Sequence, residues 1–137
     1  MRLITLLALL GLASASPASE LLIRDFSGVG GTSTATFFAR SPWLVEWHSR
    51  PPTAIDRDPS HLEVHLYAVD GNRHLGRITR HNGPGRGEML IEQSGQFRFV
   101  VQGQATEWRL RVYQLDEAYA QRLKDARRNE EPRRPRR

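Results

Sequence analysis

The stretch Gly87–Leu115, reading GEMLIEQSGQFRFVVQGQATEWRLRVYQL, limits the fold more narrowly than any other part of the chain. It holds three strand-like runs in close succession, and alternate residues in each are large and apolar. Successive side chains on a strand point to opposite faces, so such a pattern builds one buried face and one solvated face. A three-residue loop Gln93-Ser94-Gly95 puts glycine where a type I turn with a following bulge needs positive φ. That loop pairs Ile91 with Phe97 and Met89 with Phe99, and sets Met89, Ile91, Phe97, Phe99 and Val101 on one face. The other face, Glu88, Leu90, Glu92, Gln96, Arg98 and Val100, is much more polar. A shorter loop Ser94-Gly95 would set Glu92 opposite Phe97, and a one-residue slip inverts a whole strand. Glu107–Val112 alternates again, with Trp108, Leu110 and Val112 inward. The expectation is an antiparallel meander whose apolar face is the core.

The remaining segments read as further strands laid on that core. Glu20–Phe26 enters a glycine-rich segment, Ser27–Gly31, and Thr32–Ala39 is rich in β-branched and aromatic residues. After Pro42, the run Trp43–Trp47 places Trp43, Val45 and Trp47 on one face. Arg50–Ser60, with its prolines and aspartates, is a loop. Leu62–Val69 alternates, with Leu62, Val64, Leu66 and Ala68 inward. Asp70-Gly71 is a turn signal, leading to a strand around Leu75–Arg80, and Asn82–Gly87 (NGPGRG) is another turn. About seven or eight strands at this spacing indicate an all-β antiparallel sandwich or barrel.

Both ends differ in character. Arg2, the apolar run Leu3–Ala13 and the A-x-A site Ala13-Ser14-Ala15 have the form of a secretory signal peptide over residues 1–15. Its apolar run is shorter than the roughly 20 residues that span a bilayer, and no cysteine follows it to accept a lipid. The chain has no cysteine at all, so an exported domain of residues 16–115 would rest on packing alone. Asp116–Arg128 has acids at its start and cations at its end, the charge order that favours a helix. Leu115, Ala118, Tyr119, Leu123 and Ala126 would give that helix an apolar stripe. A disordered Arg/Pro-rich tail is expected over residues 129–137. The net charge of +5 is the charge of residues 122–137 alone, while residues 16–121 carry −1. A high pI that resides in a tail is no argument for a nucleic-acid partner. The tail's Arg127, Arg128, Arg133, Arg134, Arg136 and Arg137 would instead be drawn to an anionic envelope surface.

Candidate chemistry is sparse. His61-x-Glu63-x-His65 carries metal-ligand residue types on one strand face. Four residues of strand set the two histidines about 13 Å apart, too far to share one ion held at about 2.1 Å. Glu63 with one histidine and His48 or His74 remains open, as does a solvated strand face. Gly28–Gly31 and Gly83–Gly87 lack both the Lys-Ser/Thr and the following helix of a phosphate cradle. No G-x-S-x-G elbow occurs, and Ser94 falls in a turn. Trp43, Trp47 and Trp108 would stack on a carbohydrate or peptide if exposed, but each is in phase with aliphatic neighbours, which favours the core.

Gly87–Ile91, Ser94–Val101 (SGQFRFVV) and Trp108–Val112 resemble the closing strands of bacterial pre-peptidase C-terminal (PPC) type domains, and Leu62–Gly71 (LEVHLYAVDG) resembles their strand-and-turn segment. Phe26–Gly28, Phe37-Phe38 and Trp43–Trp47 are similar to segments of many small exported bacterial proteins. The resemblance implies a jelly-roll-like sandwich, export, and a non-catalytic binding or accessory role; it transfers no site residue. The expected function is thus a periplasmic or secreted non-enzymatic domain that binds an envelope component or protein partner, without cofactor or metal. The alternatives are a carbohydrate-binding module using exposed tryptophans and a metal-dependent hydrolase centred on His61, Glu63 and His65.

Overall fold

The computed structural model describes residues 20–52 and 60–130. The expected signal peptide 1–15, residues 53–59 of the expected loop and residues 131–137 of the basic tail lie outside them. The described chain forms strands β1 (Glu20–Val29), β2 (Thr32–Ser33), β3 (Phe37–Ala39), β4 (Trp43–Arg50), β5 (His61–Ala68), β6 (Arg73–Asn82), β7 (Gly85–Ile91), β8 (Gly95–Gln104) and β9 (Glu107–Leu115), followed by helix α1 (Glu117–Glu130).

The pairing is that of one long antiparallel ribbon folded back at a single hairpin. Its tip is Asp70-Gly71-Asn72, where Gly71 and Asn72 adopt φ of 69° and 46°. Asn is among the few side-chain-bearing residues that tolerate this region, and glycine enters it freely. From that tip the arms pair β5 with β6, β4 with β7, β2 and β3 with β8, and β1 with β9. The ribbon then rolls up, so that β9 also pairs with β4 and β8 with β5. Two sheets result, a first of order β1-β9-β4-β7 and a second in which β2 and β3 flank β8-β5-β6. This all-β antiparallel sandwich is a jelly roll, with β2 and β3 as two halves of one interrupted strand.

The expected meander over Gly87–Leu115 does not form. β7 and β9 belong to the first sheet and β8 to the second, so consecutive runs face each other across the core. Ile91 pairs with Trp43, and Phe97 with Phe37 and Ala68. The inward residues are nevertheless the expected ones. Phe97, Phe99, Val101, Trp108, Leu110 and Val112 are buried, and Met89 and Ile91 pack against them. Alternation decides which face of a strand is buried; it does not decide whether the next strand lies beside it or opposite. The connection at Gln93-Ser94 carries the chain between sheets. Gln93 O accepts the Trp43 indole N–H at 2.9 Å, and Ser94 Oγ accepts the Ser41 N–H at 2.7 Å.

Other boundaries shift for local reasons. β1 continues through Ser27 and Gly28 to Val29, because Gly28 makes room for the Trp108 ring on the facing strand: a Cβ there would stand 2.7 Å from a ring carbon. Gly87 does the same under Trp47, with a distance of 2.4 Å, so Gly85–Gly87 is strand rather than turn. The expected strand Thr32–Ala39 is interrupted at Thr34, whose N–H and Oγ1 meet the carbonyl and N–H of Phe99 at 2.9 and 3.0 Å. The helix spans Glu117–Glu130 rather than 116–128. Asp116 caps it, accepting the Tyr119 N–H at 2.7 Å. Its inner face is Tyr119, Ala120 and Leu123, packed on Leu44, Leu90, Tyr113 and Leu115, whereas Ala118 and Ala126 are exposed.

Aromatic rings fill the centre. Trp43 is fully buried and its ring centroid lies 5.6 Å from Phe37 and 5.1 Å from Phe97, while Phe37 stacks on Phe99 at 5.3 Å. These contacts join the first sheet to the second. Trp43→Ala is expected to cost about 3–5 kcal/mol; urea unfolding measures it, and a loss below about 1 kcal/mol would contradict the central place given to this ring.

Candidate functional site

With the core filled by side chains, ligand chemistry must be sought on the two outward faces of the sandwich, and these are unlike each other. α1 covers one end of the first sheet's outer face. The uncovered end is laced with ion pairs. Arg109 grips Asp25 through Nε at 2.8 Å and Nη2 at 2.5 Å, Arg50 meets Glu107 at 2.9 Å, and Arg111 lies 3.7 Å from Glu46. The hydrogen bond from Arg109 holds the Asp25 carboxyl below its ordinary pKa and raises that of the guanidinium. Such exposed pairs contribute only about 0–1 kcal/mol each to stability.

The second sheet's outer face has no helix packed upon it among the described residues. Its register sets cross-strand rows: Arg98, Tyr67 and His74; Val100, His65 and Arg77; Gln102, Glu63 and Arg80; Gln104, His61 and Asn82. His65 is the hub. Its Nε2 meets Glu63 Oε1 at 2.9 Å and its Nδ1 meets His74 Nε2 at 2.8 Å. His61 Nε2 lies 3.7 Å from the other Glu63 oxygen, and its Nδ1 meets Asn82 Oδ1 at 3.0 Å. The Glu63 carboxyl is held below its ordinary pKa, chiefly by the His65 hydrogen bond, with help from Arg80 and Arg77. The Arg98 guanidinium lies over the Tyr67 ring at 4.8 Å and bonds Asn72. Phe38 opposes Gln96 at the sheet's edge and is 56% exposed. The face therefore sets three guanidinium groups and three imidazoles against one carboxylate.

The structure thus brings His61, Glu63 and His65 together, with Glu63 between the imidazoles, and adds His74. The group does not have the geometry of a metal centre. The two nitrogens of the His65 ring point to opposite sides, so Glu63 and His74, one on each, cannot join it at a single ion. Among the described residues no three ligand-type side chains converge to hold one. Trp43 and Trp108 are 0% and 4% exposed. Their indole N–H groups are held by Gln93 O and by Gly30 O, the latter at 2.8 Å, so neither is a stacking platform. Trp47 is half-buried against the core. Gly28 and Gly85 lie in strands, and neither glycine segment opens a helix.

One polar cluster is not anticipated by the sequence reading. Ser49 Oγ lies 2.7 Å from His81 Nε2, and His81 Nδ1 lies 3.2 Å from Thr79 Oγ1. Ser49 follows Trp43, Val45 and Trp47 in the inward phase of β4, which is the signal that would have found it. A serine–histidine pair at this distance is the opening of nucleophilic catalysis. Here the hydroxyl is 1% exposed, and the outer imidazole nitrogen meets a threonine rather than a carboxylate. The pair instead ties β4 of one sheet to β6 of the other. Burial, and then the nearby His61, push the His81 pKa below its ordinary value.

No family model matches the chain, and no curated protein matches it. No described helix is long and apolar enough to cross a membrane.

The His81 shift has a definite sign. An imidazole harder to protonate folded than unfolded contributes stability above its unfolded pKa, about 6.5, and loses it as pH falls below that value. Asp25 and Glu63 are held low instead, so their contributions persist until pH falls below about 4. Chemical unfolding between pH 7.5 and 5 is expected to show stability declining with acid, and His81→Gln is expected to flatten that decline. An undiminished slope in the variant would remove His81 as its origin.

Proposed function

We propose that this chain is an exported, non-catalytic binding domain that holds an anionic envelope component on the outer face of its second sheet. The observation that carries the reading is the charge of that face: the three guanidinium groups of Arg77, Arg80 and Arg98 stand against the single carboxylate of Glu63, with the imidazoles of His61, His65 and His74 among them. On the first sheet Arg50, Arg109 and Arg111 each have an acid within 3.7 Å. Here Arg77 and Arg80 form no ion pair among the described residues, acting on Glu63 only at longer range, and both side chains are exposed. An open face suits an extended polymer or a lipid headgroup layer better than a small enclosed substrate.

Three further features support the reading. The chain begins with the pattern of a secretory signal, which would deliver the domain to the periplasm or beyond. Arg127 and Arg128, exposed near the end of α1, continue into the arginines of the tail and add positive charge. The likeness to PPC-type domains fits an accessory role beside an envelope polymer or protein.

A cation near an anionic surface contributes about 1 kcal/mol at low salt. Replacing Arg77, Arg80 and Arg98 together by Gln is therefore expected to weaken retention on phosphatidylglycerol vesicles about 100-fold. The loss should shrink as salt rises. Retention equal to the parent's at low salt would overturn the assignment to this face. Deleting residues 129–137 tests the tail separately: vesicle retention at low salt should fall, and unchanged retention would confine binding to the sheet.

A further inference from the structure

The uncovered end of the first sheet forms a groove of about 670 Å³, lined by Glu46, His48, Arg86, Glu88, Arg109 and Arg111 among others. Its floor is the β4–β7 pair, and the register there sets Glu46 directly opposite Glu88 and His48 directly opposite Arg86. Two carboxylates directly opposed across a strand pair are destabilising, and opposite charges are favourable. Exchanging Arg86 and Glu88 along β7 would bring arginine to Glu46 and glutamate to His48, with the same composition. The sequence holds the costlier arrangement. Of the groove's five acids and arginines, Arg109 is committed to Asp25 and Arg111 leans on Glu46 from β9. Glu88 and Arg86 have no ion-pair partner among the described residues, and both are exposed.

We propose that this groove is a binding site for a small zwitterion. The ligand's anionic group docks between Arg86 and His48, and its ammonium group docks between Glu46 and Glu88. The two docking points are one strand repeat apart, two residues or about 6.7 Å. A dipeptide with free termini spans about 7 Å when extended, which matches the interval. The ammonium group relieves the Glu46–Glu88 row, and the anionic group gives Arg86 the partner it lacks. The opposed carboxylates are then the free-state cost of a preformed site, as expected where polar groups converge to orient a ligand.

Alanyl-alanine is the probe, titrated into the full mature chain and followed by backbone amide shifts and by calorimetry. Saturable binding is expected, with shifts concentrated on Glu46–His48 and Arg86–Glu88. The N-acetylated and the C-amidated dipeptides, each missing one charge, should bind at least tenfold more weakly. The double variant Arg86→Glu with Glu88→Arg should melt at a higher temperature than the parent and lose binding at least tenfold. Its melting curve also shows that it is folded. The proposal is overturned if the dipeptide does not bind, if shifts fall outside the groove, if either capped analogue binds as well as the parent, or if the exchanged variant binds unchanged. Vesicle retention involves the opposite sheet and should survive the exchange, so either reading can fail alone.

Discussion

Everything in this molecule depends on the packing of aromatic rings between the two sheets. The chain has no cysteine, so no disulfide closes the ribbon on itself. What holds the roll shut is Trp43 from the first sheet wedged against Phe37 and Phe97 of the second, with Phe99 stacked behind. Burying an aromatic side chain removes a large apolar area from water, and edge and offset ring contacts add to that. Those rings come from β3, β4 and β8, which are far apart in sequence. Their meeting fixes the roll of the whole ribbon, because β4 cannot face β3 and β8 unless β9 and β5 fill the places beside them.

The same packing explains which parts of the fold were legible. Phe97, Phe99, Val101, Trp108, Leu110 and Val112 could be assigned to the core because a buried strand face writes itself as alternation. Their strand partners could not. Pairing Met89 with Phe99 requires only that apolar residues share a face. A hairpin and a crossing between opposed sheets both satisfy that demand. The Asp70-Gly71 turn was legible because positive φ demands particular residues, and among the described residues it is the one hairpin in which neighbouring long strands pair. The glycines at 28, 85 and 87 read as turns because glycine usually marks them. Their use here, as floor beneath Trp108, Trp47 and His81, depends on a neighbour that is remote in sequence.

Site geometry was legible to a lesser degree. Alternation correctly put His61, Glu63 and His65 on one outward face. It could not show that Glu63 would reach both, nor that β6 would deliver His74 to the far side of His65. That delivery depends on β6 register shifts near Leu75 and Ile78, each of which lets an apolar residue drop toward the core while His74, Arg77 and Arg80 stay outward. Bulges of this kind also roughen an edge strand against pairing with other chains. The Ser49–His81 tie lay hidden for a similar reason, since its partners sit in different sheets.

The two outer faces divide the electrostatic work. On the first, Arg50, Arg109 and Arg111 are answered by Glu107, Asp25 and Glu46 while Arg86 and Glu88 are not, and α1 shields the apolar remainder. On the second, cations gather around one carboxylate without answering partners. A neutral domain can carry a cationic face only if its acids are placed elsewhere: the first sheet is balanced, with Asp25, Glu46, Glu88 and Glu107 against Arg50, Arg86, Arg109 and Arg111, and Asp70, Glu92, Asp116 and Glu117 stand at strand ends and at the start of α1. Separation of charge between two sides of one small sandwich gives the molecule an electrical axis. An anionic surface would orient such a body before any contact forms, presenting the second sheet and leaving the groove of the first open to solvent. Counting charges over the sequence conceals this, because a sum near zero does not say on which side the charges lie.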